Sequence, residues 1–448
     1  MDLLKAPVKP LFFRYLSSAF GSALISSIYG VVDLAVVGQY HGPNGTAALA
    51  VVAPVWNVIY SLGLLTGIGG SVLFSTARGQ QGNAQEERQC FTASVIFSVI
   101  LALLAWGLLL FAEAPILRFF GADEALLPLA QQYLQPIRVV LPLYLFNQML
   151  AAFLRNDGAP GLATIGVLAG GLFNVFGDIF FVFTLHMGIG GAGLATAIGA
   201  GISFCVLMLH FASKKNTLHL DKPAQLMHRC GKIAATGFSS FFVDVAMGIL
   251  TILFNRQIMR YQGADALAIY GCIINVSTFV QCCAYSVGQA AQPIISTNFG
   301  ARHALRIRQT LRYALLTTAA LTLFWTLLSL LFPTLYIRIF MTPTDSILAL
   351  APSMIRRYAL SFLLLPFNIF STYYFQAILK PQTAFMVSVT RGLVVSGILI
   401  FVLPMVFGAD SLWFAMPMTE VITTVYAFLA MRRCTLALPD ADCPARQL

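Results

Sequence analysis

Asp33, Asp178, Asp244 and Glu420 stand inside long apolar stretches of a 448-residue chain. A carboxylate at the centre of a bilayer costs at least ~2.5 kcal/mol on insertion scales, so one that is kept there has a task. Asp33 precedes Tyr40 by seven residues and Asp178 precedes Leu185 by seven, which at a helical rise of ~1.5 Å per residue puts each ~10 Å in from a helix end. Asn174 lies four residues before Asp178, on the same helical face, and Thr196 falls at nearly the same depth in the next span. Two carboxylates, an amide and a hydroxyl at one level make an oxygen-rich pocket for Na⁺, or for a proton shared between the acids. We therefore expect Asp33, Asn174, Asp178 and Thr196 to bind a cation, H⁺ or Na⁺, and expect no other metal. The alternative is that the carboxyls satisfy backbone groups at helix breaks.

Asp244 sits near the middle of a later span, with Asn255 three turns further along. The expectation is a position facing a central cavity, where the pair would attract a cationic substrate or carry a second proton. Arg391 and Glu420 each lie nine residues into their spans, counted from Gln382 and Ser411. Equal depth makes them a candidate structural ion pair, since unpaired charges there would be costly. No residue set suggests catalysis: there is no HxxxxD or DDxxD signature, and an enzyme is not expected.

The elements that must position these groups are membrane helices. Hydrophobic residues make up 58% of the chain and charged ones 10%, against ~25% charged in soluble domains. Twelve apolar stretches are each long enough to span: 12–40, 46–73, 90–112, 129–154, 161–185, 191–213, 234–261, 265–296, 312–333, 349–379, 382–407 and 411–431. An even number puts both termini on one side. Lys5, Lys9 and Arg14 before or at the start of the first span, Lys214, Lys215, Lys222, Arg229 and Lys232 in the middle connection, and Arg432 and Arg433 after the last mark that side as cytoplasmic. The net charge of +10 is thus a topology signal and not a nucleic-acid surface. The eight cysteines show neither metal-site spacing nor a disulfide framework.

Shifted on itself by 221 residues, the sequence places Tyr40 on Tyr261, Gly42 on Gly263, Asn147 on Asn368, Pro160 on Pro381 and Gly171 on Gly392. Each half holds six spans, so the repeat is parallel, about an axis along the membrane normal. The expected fold is all-α: an N-lobe over 1–213, a cytoplasmic inter-lobe linker over 214–233, a C-lobe over 234–433 and a cytoplasmic tail over 434–448. The same shift sets Phe254, Val395, Leu399 and Pro417 on Asp33, Asn174, Asp178 and Thr196, so the cation pocket belongs to the first lobe alone. Two similar lobes that can rock against each other suit alternating access.

Several segments, in order, carry a likeness: Val32-Asp33 with Val37-Gly38 and Ala47-Ala48-Leu49-Ala50; Asn174-Val175-Phe176-Gly177-Asp178; Gly190-Gly191-Ala192-Gly193-Leu194-Ala195-Thr196; and Gly288-Gln289-Ala290-Ala291-Gln292-Pro293 through Asn298-Phe299-Gly300-Ala301. Along essentially its whole length the chain resembles the MATE (multidrug and toxic compound extrusion) transporters of prokaryotes. The resemblance implies efflux of organic cations and amphipathic compounds by antiport against H⁺ or Na⁺, with Asp33, Asn174, Asp178 and Thr196 as the N-lobe cation site and Asp244 as the usual acid of the seventh helix. It also implies a multi-pass protein of the bacterial inner membrane, with no cofactor and no nucleic-acid partner. A monomer is expected. The first span here lacks the internal proline that some members bend, so no mechanism turning on that kink is expected. A lipid-linked oligosaccharide flippase of the same superfamily is the alternative, though such a protein would want several midplane bases for pyrophosphate. Gly188-x-Gly190-x-x-Gly193 fits a dinucleotide fingerprint but follows no strand, and reads as a membrane-edge turn that allows close helix packing.

Overall fold

The computed structural model describes residues 2–80, 83–340 and 343–438. The expected tail, 434–448, therefore lies outside the described residues from 439 onward. Every long element is helical, and no strand occurs among the described residues. One continuous helical run, Val8–Gly79, is broken at Gly42, whose φ of 63° and ψ of −151° leave the helical region, a geometry glycine adopts without a Cβ penalty. We call its two parts α1 (8–41) and α2 (43–79). The remaining long helices are α3 (Ala84–Phe119), α4 (Leu126–Asn156), α5 (Pro160–Thr184), α6 (Gly188–Ala212), α7 (Leu226–Tyr261), α8 (Gly263–Gly300), α9 (Ala304–Leu331), α10 (Asp345–Ala377), α11 (Pro381–Phe407) and α12 (Ala409–Leu436). A short helix, Pro333–Phe340, precedes α10.

Each of the twelve helices coincides with one expected span; α5, α6, α9 and α10 stop one or two residues before the expected end, and the other ends match or overhang it, because caps and turns extend a helix beyond the hydrocarbon. The largest differences are at α7 and α9, which start at Leu226 and Ala304, each eight residues ahead of the expected span. Polar residues had placed the α7 start at 234, but polarity alone does not stop a helix. Large apolar side chains such as Phe111, Leu104 and Ile398 are more than half exposed. A water-soluble protein would not leave so many uncovered, and hydrocarbon is their solvent here.

By contacts the chain divides into two units, one holding 2–5 and 17–241 and the other 242–438 together with 6–16, which includes the first turns of α1. In the first unit, small residues set the helix spacings. A Cβ on Gly63 would come within 2.8 Å of the Leu145 carbonyl, and one on Gly67 within 2.9 Å of Met149 Cα, so α2 lies directly on α4. Gly237 meets the Leu65 carbonyl and Gly69 that of Ile233, which ties the start of α7 to α2. Such backbone approach substitutes dispersion contacts for the hydrophobic effect that lipid cannot supply.

The connection between α6 and α7 is stapled to this unit. Leu218 is buried in a cluster with Phe74, Phe91 and Phe153. Asp157, in the turn after α4, accepts from His210 Nε2 at 2.6 Å, from Arg78 Nη2 at 2.8 Å, and from Thr217 Oγ1 at 2.5 Å and Thr217 N at 3.1 Å. Arg78 also pairs with Glu87, and Arg229 with Glu86. Burial works to raise the Asp157 carboxyl, but hydrogen bonds from His210 and Thr217 and the Arg78 charge outweigh it and hold the group below its ordinary value.

Candidate functional site

The pocket is assembled from α1, α4, α5 and α6 of the first unit. His41, at the end of α1, accepts from the Ile189 N–H at the start of α6 at 3.0 Å, which fixes the relative height of the two helices. Gly193, two residues beyond the first turn of α6, lies so close to α4 that a Cβ would stand 2.1 Å from the Tyr133 carbonyl. The glycine-rich entry to α6 thus brings Thr196 to the level of Tyr133.

Within that frame Tyr133 Oη donates to Asp33 Oδ2 at 2.7 Å. Asn174 donates through Nδ2 to Thr196 Oγ1 at 3.0 Å and to Asp178 Oδ1 at 3.4 Å. Asp33 and Asp178 are near enough for each charge to act on the other. Their side chains are removed from solvent, with Asp178 0% and Asn174 3% exposed. Three oxygens are left with no donor: Asp33 Oδ1, Asn174 Oδ1 and Asp178 Oδ2. Each such buried acceptor costs on the order of 1–3 kcal/mol if it stays unsatisfied. An all-oxygen set of two carboxylates and one amide carbonyl is the donor chemistry of a hard cation such as Na⁺, and two neighbouring carboxylates also share a proton readily. α5 closes beside the pocket in a π turn, Phe180–Thr184, a distortion that often accompanies function.

Tyr133 was missing from the sequence reading. Its signal was present, since a tyrosine deep in an apolar span needs a partner for its hydroxyl, but nothing in the pattern of α4 pointed to Asp33.

In the second unit Arg391 Nε donates to Glu420 Oε1 at 2.8 Å, and both side chains are buried. Asn368 of α10 completes the set, giving Nδ2 to Glu420 Oε2 at 2.6 Å and to the Glu420 carbonyl at 3.0 Å, while Thr424 donates to Asn368 Oδ1 at 3.1 Å. Arg391 rides on a π turn, Thr390–Val394. The residues at the repeat-related positions are Gly170 and Gly199. There α5 and α6 touch backbone to backbone, a Cβ on Gly170 falling 2.4 Å from the Gly199 carbonyl. One unit fills this crossing with an ion pair and the other with nothing.

Asp244 and Asn255 are not brought together. They lie on one helix eleven residues apart, ~16 Å along it, and Asp244 Oδ2 is buried without a hydrogen-bond partner. None of the seven described cysteines is in a disulfide, and no group of three or more His, Cys, Asp or Glu placed to hold a metal ion occurs among the described residues.

Fold and pocket together define a polytopic helical membrane protein with a buried carboxylate site in one of two related halves. The same family profile, MatE, matches the sequence twice, over 18–180 and over 238–402, and the chain belongs to this family, the MATE transporters. It is 24% identical over 410 residues to the multidrug export protein MepA of Staphylococcus saprophyticus, covering 91% of this chain and 90% of that one. The MepA of Staphylococcus haemolyticus is 25% identical, covering 91% and 89%. Among solved structures, an outward-facing multidrug resistance MATE family transporter of the MOP superfamily superposes with a TM-score of 0.90 at 20% identity, covering 97% and 98%. The recurrence of one profile about 221 residues apart is the tandem repeat in another form.

Proposed function

We propose that this protein is a secondary active multidrug efflux antiporter, which exports organic cations and amphipathic compounds in exchange for H⁺ or Na⁺ taken up at Asp33, Asn174, Asp178 and Thr196. The observation that carries this reading is the set of three donorless oxygens buried around those side chains. A cation that enters offsets one carboxylate charge of the pair and gathers oxygens from α1 and α5, which draws the helices into a different arrangement. Release removes that restraint. Transport is coupled if cation and substrate prefer different arrangements by a few kcal/mol. Relatives that carry the name multidrug export protein support the substrate class. Asp244, alone in α7 with an unpaired oxygen, is the candidate attractor of a cationic substrate, with Asn255 further along the same helix. We place both termini in the cytoplasm, on the charge bias of the connections, and take the working unit to be a monomer in the bacterial inner membrane.

The test is efflux of ethidium from proteoliposomes under imposed H⁺ and Na⁺ gradients applied separately, wild type beside Asp33→Asn. Gradient-driven efflux lost in the variant supports the assignment and names the ion. Absence of transport under either gradient would redirect the reading to a lipid-linked oligosaccharide flippase.

A further inference from the structure

In the second unit the surface carboxylates gather at one side, where Arg256, Arg260, Arg338, Arg356 and Arg357 also lie, and none stands at the other side among the described residues. The carboxylates among residues 242–438 are Asp244 and Glu420 inside the helices, and Asp265, Asp345 and Asp410 at the starts of α8, α10 and α12. The opposite helix ends carry Arg302, Arg306, Arg308, Arg312, Lys380, Arg432 and Arg433. That end stays net positive even when Asp440 and Asp442, which follow α12 in sequence, are counted.

A cleft of about 670 Å³ opens at this end. Lys380 and Arg433 line it together with Thr383 and the exposed ring of Tyr426, and its walls continue onto apolar Phe299 and Leu429. Neither Lys380 nor Arg433 forms an ion pair among the described residues. The contrast with the first unit is direct: there Arg78 is held by Glu87 and Asp157, and Arg229 by Glu86. On α12 the side chains near the cleft, Val425, Phe428 and Leu429, are each more than half exposed, as surfaces that face lipid chains are. A basic pocket between membrane helices whose walls run into a lipid-facing surface matches a phospholipid headgroup better than a free ion.

We propose that this cleft binds an anionic phospholipid, with the headgroup phosphate at Lys380 and Arg433, hydroxyl contact from Thr383 or Tyr426, and acyl chains against Leu429. The lipid would hold the ends of α10, α11 and α12 to the bilayer surface. This site is separate from the cation pocket and does not depend on what is transported.

The experiment is native mass spectrometry of the delipidated full-length protein, offered dioleoyl phosphatidylglycerol and dioleoyl phosphatidylcholine in equal amounts. Wild type is expected to retain the anionic lipid preferentially. Lys380→Gln with Arg433→Gln should reduce that preference by roughly tenfold or more, since each base near a membrane surface contributes about fivefold. Arg432→Gln, on the same helix but outside the cleft, should keep it, and Lys380→Arg with Arg433→Lys should restore it. An unchanged preference in the double glutamine variant, with gel filtration showing a folded protein, would overturn the proposal. So would displacement of the lipid by millimolar inorganic phosphate, which would mark a free-anion site.

Discussion

Tyr133 donates to Asp33 across 2.7 Å, from α4 to α1. Among the described residues this is the one side-chain hydrogen bond that Asp33 receives, and it leaves the second carboxylate oxygen open. Tyr133→Phe keeps the ring and removes the donor. Hydrogen bonds to charged groups contribute ~1.5–3 kcal/mol, so the coupling-ion concentration for half-maximal efflux is expected to shift by about tenfold or more, with the protein still folded. Identical ion dependence in the variant would remove Tyr133 from the site.

Asp33→Asn and Asp178→Asn each leave one carboxylate. Both variants are expected to lose gradient-driven efflux while eluting as monodisperse protein, because an amide has almost the same volume as the acid. Full activity in either would show that its carboxylate does not carry the ion.

The Arg391 and Glu420 pair makes a prediction about stability. Breaking a buried pair by removing one partner costs ~3–5 kcal/mol, whereas replacing both with apolar groups is often nearly neutral. Arg391→Met and Glu420→Met should each lower Tm in detergent more than the double variant does. Equal losses in all three would mean that the two charges act independently.

Asp157 is expected to contribute to the loss of stability in acid. Its folded value is depressed, so its contribution is fully present above the ordinary aspartate value of 3.8 and is lost as pH falls below that, through the lowered folded value. Thermal stability in detergent should therefore not fall through this group between neutrality and mild acid. Asp157→Asn should cost about 2 kcal/mol or more at neutral pH and flatten the decline below pH ~4. A variant with the wild-type profile would show that the tie among His210, Arg78 and Thr217 does not depend on the carboxylate.

Much of this structure was legible before any coordinates, and for a physical reason. Hydrocarbon demands long apolar helices and penalises buried charge, so spans and buried acids are written in composition and position. Arg391 and Glu420, which stand at equal depth when counted from nearby turns, lie in hydrogen-bond contact at 2.8 Å. What stayed hidden was lateral. Tyr133 and Asn368 act across helix contacts set by Gly193 and by the crossing of α10 with α12, and no one-dimensional spacing encodes which faces meet. Asn147 and Asn368 were visible as a repeat, yet their partners differ: Asn147 donates to the Ala200 carbonyl, Asn368 to Glu420. The first turns of α7 precede the expected span, and Arg229 in them pairs with Glu86 of α3, a tertiary contact that no local polarity reveals.

The buried pair also bears on how the chain enters the membrane. An arginine at the centre of a helix opposes insertion by ~2.5–3.5 kcal/mol, and Arg391 stands in α11 with no acid on its own helix. Its partner follows in α12 after a turn at Gly408, where φ is 85°. The last two helices are thus suited to leave the insertion machinery as a hairpin, with the charge on the first neutralised by the second. A ribosome paused between them would strand Arg391 in lipid without a counter-charge.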